Sequence, residues 1–252
     1  MNSISDTFEY KNICKLAVEN DEIFSTFKQK PSYKEILEHV SYEDGLKYLN
    51  YIKKYSDIIY KKIKTDFISN DEIGRPVKYE YPDIGNISPT TLRYVKTLVD
   101  FTKIFGNFNN KKIIEIGCGY GGQCLILNKM FDNIDYTIID LDEPSALTKK
   151  YLNEHNINIK ILPIDEVDNN IEEYDLVIST YAYSEICKDL QVSYYNNIIE
   201  KCKHGYFILN FISDVFNINS LTKNELINLF NKKINFIDEY PKTHPNNIVM
   251  YF

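Results

Sequence analysis

The spacing of apolar positions changes character part-way along the chain. Between Ser41 and Ile63, residues Leu46, Leu49, Ile52, Ile59 and Ile63 recur near helical spacing and leave lysines outside. Ser32-x-x-Glu35 reads as a capping box and Ser41 as another helix start, so segment 1–70 is expected to be helical. Residues 70–89, NDEIGRPVKYEYPDIGNISP, hold three prolines and two glycines and predict a connecting loop. From Pro89 a helix resumes and ends at Gly106.

Beyond that point two periods alternate. β-rich runs at 112–116, 135–140, 157–162, 174–179 and 205–211 are separated by helical stretches at 121–131, 144–155 and 188–203. This rhythm predicts a parallel sheet covered on both faces. After a helix at 222–231, KINFIDEY and NNIVMYF are separated by a short loop and must pair antiparallel, because a parallel return needs a crossover of about a dozen residues. The expected fold is α/β: a seven-stranded, mostly parallel, doubly wound sheet with one antiparallel strand over 86–252, plus an N-terminal helical appendage over 1–85.

Composition narrows the class. The 252 residues are 44% apolar, enough for a core, and no run of eighteen apolar residues exists, so neither membrane insertion nor a signal peptide is expected and the cytoplasm is the expected compartment. The net charge is −7, and positions 1–70 balance eleven lysines with eleven acids, which disfavours nucleic acid as a partner. Five cysteines without a C-x-x-C pair fit neither a disulfide framework nor structural zinc. Arginine is scarce: Arg75 and Arg93 stand beside 27 lysines, which marks both as candidate anion clamps.

The chemistry concentrates in IIEIGCGYGGQC, residues 113–124, which fits two patterns. Gly117, Gly119 and Gly122 give the G-x-G-x-x-G spacing of a dinucleotide cradle; Glu115, Gly117, Gly119 and Gly121 give an acid followed by three alternating glycines. Asp140, at the end of the second strand, suits ribose hydroxyls in either case. Glu115 discriminates. A carboxylate there repels a pyrophosphate but suits S-adenosylmethionine, which carries an ammonium and a sulfonium. An NAD-binding oxidoreductase and a non-catalytic protein retaining the cofactor fold are the alternatives.

With its closing strand pair, IIEIGCGYGGQC, YTIIDLDEP and YDLVIST, the chain resembles the class I, Rossmann-like methyltransferases that use S-adenosylmethionine. More narrowly, NISPTTLRYVKTL, YAYSEI and PKTHPNN resemble a bacterial family of sugar O-methyltransferases, in which Cys118 stands where glycine is expected. The resemblance implies that Glu115, Gly117, Cys118, Gly119 and Gly121 surround the methionine part of the donor, and Asp140 and Leu141 the ribose and adenine edge. It also implies Asp165, or Glu166 instead, and the Ile164 amide at the adenine amino group, Arg93 at the donor carboxylate, and Thr180 in the donor set.

Methyl transfer to a hydroxyl requires alignment and removal of one proton. The expected base is Glu185, with Tyr183 orienting the acceptor; Asn210 and His244 are further candidates at the carboxyl edge, His244 being the rival base. No metal is expected, since Thr180 and Tyr181 follow strand four where a magnesium-dependent enzyme usually has aspartate, and the four histidines lack ligand spacing. For the acceptor, a nucleotide-activated or surface-polysaccharide sugar with a non-sugar small molecule as the alternative, Tyr79, Tyr81 and Asp83 are expected to stack on and hydrogen-bond the ring while Arg75 holds a phosphate. The helical appendage is expected to serve as acceptor lid, homodimer face or both.

Overall fold

The computed structural model describes residues 3–169 and 172–252. Five short helices open the chain: α1 (Phe8–Glu19), α2 (Asp21–Phe24), α3 (Pro31–Ile36), α4 (Tyr42–Tyr55) and α5 (Asp57–Thr65). Ser41 caps α4 by accepting from the Asp44 amide at 3.1 Å, and Tyr48, Leu49, Ile52, Ile59 and Ile63 bury the face the spacing marked. The capping box expected at Ser32 is not formed. α3 starts one residue earlier on Pro31, whose fixed φ and missing N–H suit the first helical position.

The expected loop over 70–89 contains a hairpin, β1 (Tyr79–Tyr81) and β2 (Gly85–Ile87), paired antiparallel. Tyr81 drives it inward: its ring stacks on Tyr42 of α4 at 4.9 Å and its hydroxyl donates to the Tyr42 carbonyl. α6 (Pro89–Phe105) follows and is buried along most of its length. It lies between α4 and the sheet, and Asp100 binds both layers by accepting from Tyr51 of α4 at 2.7 Å and Tyr206 of the sheet at 2.6 Å, with Lys96 at 2.8 Å completing the charge.

The sheet is built from β3 (Lys112–Ile116), β4 (Asp135–Ile139), β5 (Lys160–Ile161), β6 (Leu176–Thr180), β7 (His204–Leu209), β8 (Asn235–Asp238) and β9 (Ile248–Tyr251) in the order β5-β4-β3-β6-β7-β9-β8. β3 to β7 pair parallel, and β9 is antiparallel to both neighbours. α7 (Gly122–Met130), α8 (Asp142–Glu154), α9 (Lys188–Asn197) and α10 (Lys223–Leu229) complete the chain. The seven strands and the single reversed one are as expected. Most other bounds shift by one or two residues, and three differ in kind: β5 pairs only two residues of the run 157–162, β7 ends at Leu209, and the helix expected over 188–203 breaks after Asn197 into a short 3-10 turn.

One hydrophobic cluster runs without interruption from Tyr10 and Ile52 through α6 to Leu125, Tyr151 and Val249, so the N-terminal helices share the core of one sheet face. A second, including Ile114, Tyr195, Phe207 and Leu226, fills the other face. Among the described residues, no helix is long and apolar enough to cross a membrane. The chain runs outward from β3 to β5 and returns to β6 beside β3, which opens a crevice at the carboxyl ends where open α/β sheets bind ligands.

Candidate active site

The glycine loop follows β3 into that crevice. Gly117, Gly119 and Gly121 all have positive φ, whereas Gly122 begins α7 and is excluded from larger side chains by the Tyr94 ring, 2.4 Å from where a Cβ would stand. The backbone twist thus falls on the three alternating glycines. All three also pass under neighbours: a Cβ on Gly117 would lie 2.1 Å from Ala182, one on Gly119 2.7 Å from Leu37 and one on Gly121 2.9 Å from Thr148. The amides of Gly117, Gly119 and Gly121 are already bonded, to the Ile139 carbonyl at 2.9 Å, to Asp140 Oδ2 at 3.2 Å and to the Cys118 carbonyl at 2.9 Å. A phosphate nest requires such amides to be free.

Two acids frame the loop. Glu115, on β3, is 1% exposed; Tyr136 donates to its Oε2 at 2.8 Å, and burial pushes its carboxyl up to about 8. Asp140 follows β4 and accepts from the Leu141 amide at 2.8 Å; burial raises it to about 6 against the pull of these amide bonds. Both line a cavity of about 1030 Å³ that also takes in Gly117, Cys118, Gly119, Arg93, Thr180, Glu185, Asn210 and His244. A smaller slot of about 130 Å³ adjoins it between Ile116, Leu141, Ile164, Leu190 and Tyr194, with Asp140 at its rim. It is a narrow, mainly apolar space lined also by the carboxyl groups of Asp6, Asp140 and Glu185.

Arg93 is buried in the cavity wall, with its guanidinium 5.8 Å from the Tyr94 and Tyr181 ring centres and one bond, at 3.2 Å, to the Leu37 carbonyl. Glu185 faces both cavities; burial raises its pKa, and the Asn210 amide, which donates to Oε1, opposes that shift. Ser184 donates to Asn210 Oδ1 at 3.0 Å or to the Tyr181 carbonyl at 2.8 Å, and the former bond leaves the Asn210 NH2 facing Glu185. His244 stands at the mouth, exposed, its Nδ1 accepting from the Asn246 amide.

Other expected positions lie elsewhere. Tyr183 is fully buried against Phe207 and donates to the Gln191 carbonyl at 2.9 Å, so its hydroxyl does not reach the cavity to orient an acceptor. Asp165 and Glu166 are exposed and line neither space, whereas Ile164 lines the slot. Arg75, Tyr79, Tyr81 and Asp83 also line neither: the hairpin packs on α4, where Tyr81 is buried and Asp83 pairs with Lys53 at 3.0 Å. Gly121 lies under Thr148 and Leu152 at the start of α7.

Several lining residues carry no signal in the sequence. The Ile4 amide donates to the Glu185 carbonyl at 3.0 Å and Ser3 bridges Ile186, which lays the N-terminal segment across the crevice. α1 is held over α8 by Lys150, which donates to the carbonyls of Ala17 and Val18. Tyr10, Leu37, His39 and Tyr48 form part of the wall. Tyr181 has φ 74°, a strained conformation for a tyrosine, and its hydroxyl donates to buried Glu239 at 2.9 Å; Glu239 in turn accepts from Thr243 and Asn247. Among the described residues, no group of three His, Cys, Asp or Glu side chains forms a metal cluster.

Comparison with known proteins agrees with this architecture. Residues 97–204 match the family model described as methyltransferase small domain. An uncharacterized protein of Rickettsia prowazekii (strain Madrid E) is 27% identical over 136 residues, covering 51% of this chain and 50% of that protein. The match thus spans about half the length of that curated relative. Geranyl diphosphate methyltransferase, solved in complex with SAM, is similar at a TM-score of 0.51 and 9% identity, over 65% of this chain and 86% of that one. A protein of Pyrococcus horikoshii OT3 is similar at 0.50 and 10% identity, over 64% and 87% of the two chains. At such identities the likeness is one of fold, and the fold is the Rossmann-like fold of methyltransferases.

Proposed function

We propose that this chain is an S-adenosylmethionine-dependent methyltransferase that methylates a hydroxyl of a sugar-sized acceptor. The observation that carries the donor is Glu115, a buried carboxylate beside a glycine turn whose amides are already bonded. The amides of Gly117, Gly119 and Gly121 are not free for a pyrophosphate, and a pyrophosphate would oppose any ionisation of Glu115, whereas a cation favours ionisation of a carboxyl that burial has pushed up to about 8. The matched family model and the fold support the same class.

When bound, the donor supplies a methyl group already activated by a sulfonium. The residues of the chain hold and orient it. Glu115 and the loop over Gly117–Gly121 take the methionine part, Arg93 its carboxylate, Asp140 the ribose hydroxyls, and the slot between Leu141, Ile164 and Leu190 the adenine. Glu185 serves as general base, and Asn210 positions its carboxylate. Burial keeps the pKa of Glu185 above the ordinary carboxylate range, which favours uptake of a hydroxyl proton during transfer. Residues 3–10 and 36–48 act as the roof that excludes water.

The acceptor reading rests on the resemblance of YAYSEI and PKTHPNN to sugar O-methyltransferases and on a mixed wall of aromatic and amide groups, Tyr48, Tyr181, Asn210 and Asn247. Parallel calorimetric titrations with S-adenosylmethionine and NAD test the donor: the sulfur compound binds and Glu115→Ala weakens it at least tenfold, while binding of NAD alone refutes the class. Formation of S-adenosylhomocysteine against a sugar panel tests the acceptor; turnover confined to non-sugar acceptors refutes that part.

A further inference from the structure

The walls of the large cavity carry six carboxyl groups, Glu9, Glu35, Asp44, Glu115, Asp140 and Glu185, of which Glu115 is protonated at neutral pH, against one guanidinium, that of Arg93. Among the described residues no lysine lines it, although the chain has 27. His39 and His244 are the other basic groups in the wall. Desolvation, and then the Arg93 charge, lower the His39 imidazole to about 4, so it is uncharged at neutral pH. Of the nearby lysines, Lys47 pairs with Asp44 at 2.8 Å, which compensates that one wall carboxylate, and Lys242 pairs with Asp238 at 3.2 Å outside the cavity.

This lining is ill suited to phosphate. Phosphate recognition draws on Arg or Lys side chains and on free backbone amides. Here the Gly117 and Gly119 amides donate to Ile139 and Asp140 at the end of β4 and the Gly121 amide to Cys118 within the loop, and the single arginine is assigned to the donor carboxylate. The donor brings one carboxylate, one ammonium and one sulfonium, hence a single net positive charge, and the lining stays net negative with it bound: Glu9, Glu35, Asp140 and Glu185 against Arg93 and the donor. Burial raises the pKa of Glu115, Asp140 and Glu185, so these walls solvate an anion poorly, and a phosphate entering them meets the same cost.

We propose that the acceptor carries no phosphate: it is an uncharged or amino-bearing, sugar-sized hydroxylated molecule, and nucleotide-activated sugars are excluded by the charge of the cavity. This inference rests on the donor reading above and narrows its acceptor.

The test begins with calorimetric titration of the full chain with S-adenosylmethionine; absence of binding indicts the donor reading alone. The donor-loaded protein is then titrated with UDP and with pyrophosphate at low ionic strength. The expected result is no binding up to about millimolar concentration, with at least a tenfold gain in UDP affinity in the double variant Glu35→Lys, Asp44→Lys. Submillimolar binding of UDP or pyrophosphate to the unmodified donor-loaded protein overturns the inference. So does faster S-adenosylhomocysteine formation with UDP-glucose or UDP-N-acetylglucosamine than with glucose or glucosamine.

Discussion

The hydroxyl of Tyr136 on β4 donates to the carboxyl of Glu115 on the neighbouring β3 at 2.8 Å, and this is the contact that keeps a buried acid in a central strand. One bond does not offset the burial, and the carboxyl stays protonated up to about pH 8. The folded-state pKa is raised above the unfolded one, so the contribution of Glu115 to stability is fully present below about pH 4.5 and is lost as pH rises through about 8. Glu115→Gln keeps an acceptor for Tyr136 and removes that loss. Ligand-free Glu115→Gln protein is therefore expected to melt at higher temperature than the unmodified chain at pH 8.5, with little difference at pH 4.5. The donor shows the opposite preference: its affinity rises as pH approaches 8 in the unmodified chain, and Glu115→Gln flattens that limb. Differential scanning fluorimetry and calorimetry at a series of pH values read both.

Gly117 passes beneath Ala182, with 2.1 Å between the two Cβ positions in a Gly117→Ala variant. The substitution combines this clash with a φ of 76° that alanine adopts at a penalty of about 1–2 kcal/mol. Urea denaturation is expected to show a loss of at least roughly 2 kcal/mol, together with loss of donor binding. Adding Ala182→Gly removes the clash and leaves the φ penalty, so the double variant recovers part of the loss. Additive losses in the double variant count against the contact.

Glu185 and Asn210 make a pH-readable pair. In the role proposed for it, Glu185 must be ionised to take the proton, so kcat/KM is expected to fall below its pKa. The Asn210 amide is one of the interactions holding that pKa down. Asn210→Leu is therefore expected to move the acidic limb of the kcat/KM profile to higher pH, while Glu185→Gln lowers kcat by about 10²–10⁴. An unmoved limb in Asn210→Leu, or full turnover in both Glu185→Gln and His244→Ala, removes Glu185 from the role.

The sheet and the glycine turn after β3 were legible because they depend on local pattern. Runs such as KIIEI and DLVIS report buried strands, an isolated Glu115 within one is conspicuous, and alternating glycines report a backbone that must twist. The acceptor wall was not legible, because it is made by distant contacts. Nothing in the sequence ties Ile4 to Glu185, or Leu37 to Gly119. Adjacency was misleading at Tyr79, Tyr81 and Asp83, which form a hairpin whose inward side belongs to α4. A strained residue misled at YAYSEI: with φ at 74°, Tyr181 turns the chain after β6, so it is Tyr181 that lines the cavity and Tyr183 that enters the core.

That exchange of roles yields the last prediction. Tyr183→Phe removes a hydroxyl that serves only the Gln191 carbonyl, and is expected to lower stability by about 1 kcal/mol while leaving kcat and KM unchanged. Tyr181→Phe takes the donor away from a buried oxygen of Glu239, whose other oxygen holds Thr243 and Asn247. A stability loss of about 1–3 kcal/mol follows from the unsatisfied carboxylate, and the loosened 239–247 loop raises the acceptor KM more than it lowers kcat. Urea titration alongside steady-state S-adenosylhomocysteine formation separates the two variants. Loss of turnover in Tyr183→Phe at unchanged stability would return the acceptor-orienting role to Tyr183.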